Sequence, residues 1–249
     1  MKIAVVSDIH GNLLALEAVL KDIKQEAPDV VVNLGDCVSG PLWPEETAAL
    51  LRETNWPTVR GNHDRFLIED PIDKMSWSDA FTARSLSPES HEWLKTMQTD
   101  IRLTDEIFLC HGTPDNDDRY LTEKVDGPKG HLPDEETLIA ELKGEKAAIV
   151  CCGHTHIPRV VKLNSTGQTI LNPGSVGFPS YDENHPLRNE MAAGSPHARY
   201  AIMTKADGNW TFEDKIIEYD WNAASCEAEK HDRTMWATGL KLGFFGPLS

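Results

Sequence analysis

Residues 5–20 read VVSDIHGNLLALEAVL. The apolar run Ile3–Val6 stops at Ser7-Asp8-Ile9-His10-Gly11-Asn12, and Leu13–Lys24 then carries apolar residues at helical spacing. Asn12 is placed to cap that helix. The stretch is therefore a buried strand, a polar loop and a helix, the first half of a βαβ unit. A carboxylate, an imidazole and an amide at the end of such a strand admit two readings. Asp, Gly and Asn suit a tight strand-to-helix turn. A strand end in an α/β sheet is also where ligands gather.

The neighbouring sequence repeats the pattern. Val30–Leu34 is a second apolar run ending in Gly35-Asp36, and Glu45–Glu53 is a helix opened by Pro44. Pro57–Val59 reads as a short third strand ending in Arg60-Gly61-Asn62-His63-Asp64. Helices are expected at Ser78–Ser85, Pro88–Met97 and Asp134–Lys143, and strands at Asp100–Leu103, Ile107–Cys110 and Ala147–Cys152. The stretch from His111 to Pro133 is polar and marked by Gly and Pro, a long loop of the kind that often carries function. Beyond Val160, the runs Val160–Leu163, Thr169–Leu171, Arg199–Thr204 and Trp210–Ile217 look like strands joined by turns. This predicts a largely parallel first sheet and a second, mainly antiparallel sheet packed on it. The tail from Trp221 reads as helical to about Leu242. One domain is expected over residues 1–220, with 221–249 as a helical extension of it.

Composition narrows the function classes. The 249 residues include 40 acidic and 24 basic side chains, a net charge of −16. Phosphate-rich polymers are bound through Lys and Arg, so a nucleic-acid polymer is disfavoured as partner. A small phosphorylated substrate is not, because bound metal ions reverse a local field. The five cysteines, Cys37, Cys110, Cys151, Cys152 and Cys226, are odd in number and irregular in spacing. They read as reduced thiols, which with the short apolar N-terminus and the lack of a membrane-length run predicts a cytoplasmic protein.

Each apolar run is followed by a potential ligand: Asp8 and His10, Asp36, Asn62 and His63, His111, then His154 and His156. Side chains two apart on an extended segment point the same way, so Asp8/His10 and His154/His156 are each expected to present a pair. Singly, each residue has a plain explanation as a turn former, a surface imidazole or a buried hydrogen-bonded histidine. Turn chemistry does not explain them jointly. Carboxylates, an amide and several imidazoles suit Mn, Fe, Co, Ni or Zn.

The words Asp8-Ile9-His10, Gly35-Asp36, Gly61-Asn62-His63-Asp64, His111-Gly112 and Gly153-His154-Thr155-His156, in this order, resemble the calcineurin-like metallophosphoesterase superfamily. SDIHGNLLALEAVL and LNPGSVGFP (Leu171 to Pro179) are similar to its compact bacterial and archaeal phosphodiesterases. The resemblance covers about residues 1–205 and implies a four-layer α/β/β/α sandwich of two mixed sheets. It further implies a first metal on Asp8, His10, Asp36 and His156, a second on Asp36, Asn62, His111 and His154, and Asp36 as the bridge. Manganese stands first among the candidate metals.

Two metals about 3.5–4 Å apart neutralise phosphoryl oxygens and turn a bound water into hydroxide near neutral pH. The expectation is a metal-dependent phosphoric ester hydrolase that cleaves small phosphodiesters by attack of that hydroxide. His63, not needed as a ligand, is assigned to the leaving oxygen as a general acid. Asp64 either orients His63 or is a turn residue. Arg60 and Arg199 are phosphate clamps or ordinary surface arginines, and Asn12 either reaches toward the metals or only caps its helix. Asp115, Asp117 and Asp118 are expected to be solvated. Trp43, Trp56, Trp77 and Trp93 are expected to pack rather than to stack on a nucleotide. A phosphomonoesterase or nucleotide phosphatase is the alternative, followed by a non-catalytic metal-binding scaffold, and a homo-oligomer is left open.

Overall fold

The structure, a computed structural model, describes residues 1–183 and 189–245. Residues 184–188 and the last four residues of the tail lie outside them. The chain opens with β1 (Lys2–Val6), α1 (Leu13–Glu26), β2 (Val30–Asn33) and α2 (Pro44–Thr54). It continues through α3 (Asn62–Glu69), α4 (Trp77–Ser85), α5 (Pro88–Leu94), β3 (Ile101–Thr104) and β4 (Ile107–Leu109). After the long loop come α6 (Glu135–Glu141), β5 (Ile149–Cys151), β6 (Arg159–Lys162), β7 (Thr169–Asn172), β8 (Ser180–Glu183) and β9 (Asn189–Ala192). The last elements are β10 (Ala198–Ala206), β11 (Asn209–Ile217), α7 (Trp221–Lys230) and α8 (Thr234–Leu242).

The strands form two mixed sheets, β11-β10-β1-β2 and β3-β4-β5-β7-β6, with β8-β9 as a separate hairpin. β1 runs parallel to β2 and antiparallel to β10. β4, β5 and β7 run parallel, with β3 and β6 antiparallel at the edges. The expected division into an early parallel sheet and a late antiparallel one does not hold. β10 and β11 join the N-terminal sheet, and β6 and β7 join the other. The reason is that an apolar run encodes burial and not its neighbour. β10 buries residues on both faces, as a strand inside a sheet must. The expected strand at 57–59 is only a pair of isolated bridges, Thr58 to Asn33 and Val59 to Gln98. Pro57 has no N–H to extend the ladder.

Side-chain alternation along β1 defines the layers. Ile3 and Val5 face Ile107, Leu109, Ile149 and Leu171 of the opposite sheet. Ala4 and Val6 face Leu16 and Val19 of α1 and Leu51 of α2. On the far side, Phe108, Val150 and Ile170 pack on Leu138 of α6 and on Leu142, its C-cap. The order is helices, sheet, sheet, helix. Cys151 and Cys152 show the same alternation: the first lies between the sheets and the second under α6. Burial of each Leu or Ile in these interfaces is worth about 1.5–3 kcal/mol. The helices α7 and α8 close a smaller cluster of Ala224, Ala228, Ala237 and Leu240 with Leu42 and Phe178. The carboxyl ends of β1, β2, β4 and β5 all open on the same edge of the sandwich, and the loops that follow them carry the strand-end residues.

Candidate metal centre

Asp8, His10 and His156 place their donor atoms within 4.8 Å of one another, and so do Asp36, His111 and His154. All six are buried. Asp36 lies between the groups: its Oδ2 is 3.7 Å from His10 Nε2 and 3.4 Å from His111 Nε2. Asn62 joins the second group, with Oδ1 3.1 Å from His111 Nε2.

The way these side chains converge differs from the expectation. Asp8 and His10 are not on an extended segment. Both have left-handed backbone, φ 54° and 51°, and so do His154 and His156 at 68° and 59°. Asp36 adopts φ 53°. Five of the ten left-handed non-glycine residues described are thus in this cluster. Such backbone costs about 1–2 kcal/mol per L-residue and concentrates at functional sites. The loops are held in it from outside. Asp8 N donates to Gly35 O at 3.0 Å and His10 N to Asp36 O at 3.0 Å. The segment after β7 straps the first loop, with Ser175 Oγ on Asp8 O at 2.7 Å. Gly177 approaches so closely that a Cβ there would lie 2.6 Å from the Ile9 carbonyl carbon.

Hydrogen bonds fix the imidazole tautomers. Nδ1 of His10, His111 and His156 lies 2.8, 2.7 and 2.6 Å from the carbonyls of Ser39, Leu34 and Phe178. A carbonyl only accepts, so each Nδ1 carries a proton and each ring turns its Nε2 inward. Nε2 of His10 and Nε2 of His156 are then only 3.1 Å apart. Two lone pairs at that distance repel unless a cation sits between or beside them. His111 Nε2 likewise faces the Asn62 and Asp36 oxygens. The donor set fits metal ions and is poorly satisfied without a positive charge.

Electrostatics agree. Burial pushes His10 down to about 4 and His154 down to about 3, so both are neutral at pH 7. Burial opposes a charge on His111 too, but Asp36 and Asp8 outweigh it and hold that imidazole up to about 10. Burial would raise Asp8 and Asp36, yet the facing imidazoles hold both carboxyls below the usual range. Without metal, a protonated His111 supplies the counter-charge for Asp36. A metal would displace that proton.

His63 stands beside the cluster at the start of α3. Its Nδ1 donates to Asp79 Oδ1 at 2.8 Å. Asp79 also accepts from Ser39 Oγ and, at 2.6 Å, from Ser76 Oγ. Burial disfavours a charge on His63, but Asp79 and Asp36 overcome it and raise the imidazole to about 10. A cavity of about 280 Å³ opens over His63 and the cluster. Its far wall is Phe178, Tyr181 and Trp236.

Asp8, His10, Asp36, Asn62, His63, His111, His154 and His156 are therefore brought together. Asp64 is not on His63. Its carboxylate accepts the backbone N–H groups of Asp36 (2.8 Å), Cys37 (3.0 Å) and Gly61 (3.0 Å), which pins the Asp36 loop to the start of α3. Asn12 caps α1, accepting from Ala15 N at 3.2 Å, and donates to Gly177 O and Tyr219. Arg60 pairs with Glu69 at 3.0 Å, and Arg199 donates to Ser195 Oγ at 3.2 Å. None of these three borders the cavity. The long-loop acids are not simply solvated: Asp117 makes a two-pronged pair with Arg65, and Asp118 Oδ1 accepts from Asn62 Nδ2 at 3.1 Å. That bond turns the Asn62 oxygen toward His111. Asp79, Asp118 and Trp236 carry no strand-end signal. Asp79 in particular sits three residues after Ser76, where it reads as helix capping.

Residues 1–192 match the calcineurin-like phosphoesterase superfamily domain. The chain belongs to that superfamily. An uncharacterized protein of Methanocaldococcus jannaschii is 27% identical, covering 94% of each chain. The phosphodiesterase YfcE of Escherichia coli is 29% identical over 72% of this chain and 81% of its own. The crystal structure of a metallophosphoesterase from Sphaerobacter thermophilus superposes with a TM-score of 0.70 at 24% identity, covering 95% of this chain and all (100%) of the other. The last shows the fold, two mixed sheets between helices. The superfamily is metal-dependent, and this chain holds two candidate donor groups. Among the described residues no helix is long and apolar enough to cross a membrane.

Proposed function

We propose that this phosphoesterase hydrolyses small phosphodiesters at a pair of divalent metal ions, manganese first among the candidates. One ion would be held by Asp8, His10, Asp36 and His156, and the other by Asp36, Asn62, His111 and His154. The observation that carries the reading is the pair of inward-turned Nε2 atoms of His10 and His156, 3.1 Å apart beside Asp8 and Asp36. When bound, the metals supply Lewis acidity toward the phosphoryl oxygens and acidify a water.

The chain's own groups do the rest. Asp79 holds His63 by Nδ1, so Nε2–H is free to bind a phosphate oxygen and to pass its proton to the departing oxygen. Asp118 and the carbonyls of Ser39, Leu34 and Phe178 keep the ligands oriented. The apolar wall of Phe178 and Trp236 keeps bulk water from one side of the cavity. The E. coli relative named as a phosphodiesterase supports the diester choice.

The test is hydrolysis of bis(p-nitrophenyl) phosphate against p-nitrophenyl phosphate in Mn²⁺, with His63→Ala alongside. Faster diester turnover that falls at least about 100-fold in the variant is expected. Monoester preference would move the reading to a phosphatase. Metal binding with no turnover across Mn, Fe, Co, Ni and Zn would overturn catalysis and leave a metal-binding scaffold.

A further inference from the structure

The C-terminal helix α8 begins beyond the region that matches the superfamily domain. It nevertheless delivers Trp236 to the cavity over the donor cluster. The indole stacks on Phe178 with ring centroids 3.6 Å apart and planes 4° from parallel. Its edge approaches the His10 ring at 5.9 Å. The ring also lies against the loop after Asp36, where a Cβ added to Gly40 would sit 3.0 Å from Cη2. Trp236 is thus fixed on several sides and directly adjoins a ligand histidine.

A second, outer groove of about 430 Å³ lies beyond it and shares Ser76, Ser78 and Trp236 with the first cavity. Trp77 and Arg233 border this groove. Trp77 is itself occupied, stacked on Phe81 at 5.2 Å and covered by the Arg233 guanidinium at 4.2 Å. Trp236 is therefore the ring that meets whatever extends outward from a phosphoryl group at the cluster.

We propose that Trp236, backed by Phe178, selects phosphodiesters bearing a flat aromatic substituent, an aryl ester or a nucleoside. This rests on the phosphodiesterase reading for where the phosphoryl group lies. Phe178 covers one face of the indole and holds it in place, and among the described aromatic rings Trp236 alone lines both the inner cavity and the outer groove, so it is the immobilised ring available to a substituent there at little entropic cost. Trp236 acts here as a specificity residue and takes no part in bond breaking.

Two measurements on the Mn²⁺-loaded full chain test this. The first is calorimetric binding of diphenyl phosphate and dimethyl phosphate. The second is kcat/KM for phenyl p-nitrophenyl phosphate and methyl p-nitrophenyl phosphate, which share a leaving group. The native protein should favour the phenyl member of each pair at least about tenfold, mainly through Kd and KM. Trp236→Ala should shrink both ratios to about threefold or less. Trp236→Phe should keep most of the preference, which shows that the Ala effect is not a folding failure. Phenyl-to-methyl ratios near one in the native protein, ratios unmoved by Trp236→Ala, or no binding of either diester at millimolar concentration would overturn the proposal. Discrimination in binding without turnover would leave it standing while sinking the hydrolase reading. Turnover without discrimination would do the reverse.

Discussion

Replacing Asp79 by Asn removes the carboxylate that accepts from the His63 imidazole while preserving the shape of a buried site. The bond from His63 Nδ1 to Asp79 Oδ1 is 2.8 Å, and the Asp79 side chain is 3% exposed. A buried hydrogen bond between charged partners is worth about 1.5–3 kcal/mol. If that difference is felt when the proton is delivered, kcat falls about 10- to 150-fold with little change in KM. A poorer leaving group than p-nitrophenolate should widen the loss, since it needs the proton more. The decisive assay is a double-mutant cycle with His63→Ala. Asp79 is a positioning residue that acts through His63, so Asp79→Asn should cost nothing further once the imidazole is gone. Losses that multiply across the two variants would refute this account of the pair. So would an Asp79→Asn enzyme of native kcat.

Three other outcomes are expected. Gly61→Ala places a Cβ against the Asp36 carboxylate, 2.8 Å from Cγ, so that carboxylate must move; Mn²⁺ affinity by calorimetry should drop about 10- to 100-fold, and native affinity would contradict the role proposed for Asp36. Mn²⁺ at 100 times its Kd should stabilise the chain by about 2.7 kcal/mol over chelator-treated protein in thermal melts, and His156→Ala should lose most of that gain. Glu26 is lowered from 4.5 to about 2 by hydrogen bonds from Lys2 and Lys215. A depressed carboxyl stabilises above its unfolded value, so Glu26→Gln should cost about 1 kcal/mol in urea melts at pH 7, and the difference should close between pH 4.5 and about 2.

The members of the donor cluster were legible because strand ends and ligand-type residues coincide in sequence: a run such as Ile3–Val6 or Ile149–Cys151 stops just before the residue pair that reaches the cluster. The succession of strands and helices was legible from the same apolar runs, and the four-layer order from the family resemblance. The left-handed conformations of Asp8, His10, Asp36, His154 and His156 were not, because strain imposed by neighbouring loops leaves no mark on composition. Nor were Asp79 and Asp118, each an acid in a polar stretch whose partner lies far away along the chain. Asp64 misled by proximity: it follows His63 directly, yet at the third position of α3 it points back at the helix start and the Asp36 loop. Sheet membership of β6, β7, β10 and β11 escaped because hydrophobic alternation fixes which face is buried and not which strand is adjacent.

The donor groups also bear on how the chain assembles. Asp8 and Asp36 follow strands of one sheet, and His111 and His154 follow strands of the other. A complete metal site therefore cannot exist in either sheet alone. A metal held by both groups would not be an early nucleus, unlike the ion of small zinc modules whose ligands are close in sequence. It would be a late clasp, closing after the two halves of the sandwich have met. Ions added at the start of refolding should leave the folding rate nearly unchanged and slow unfolding instead.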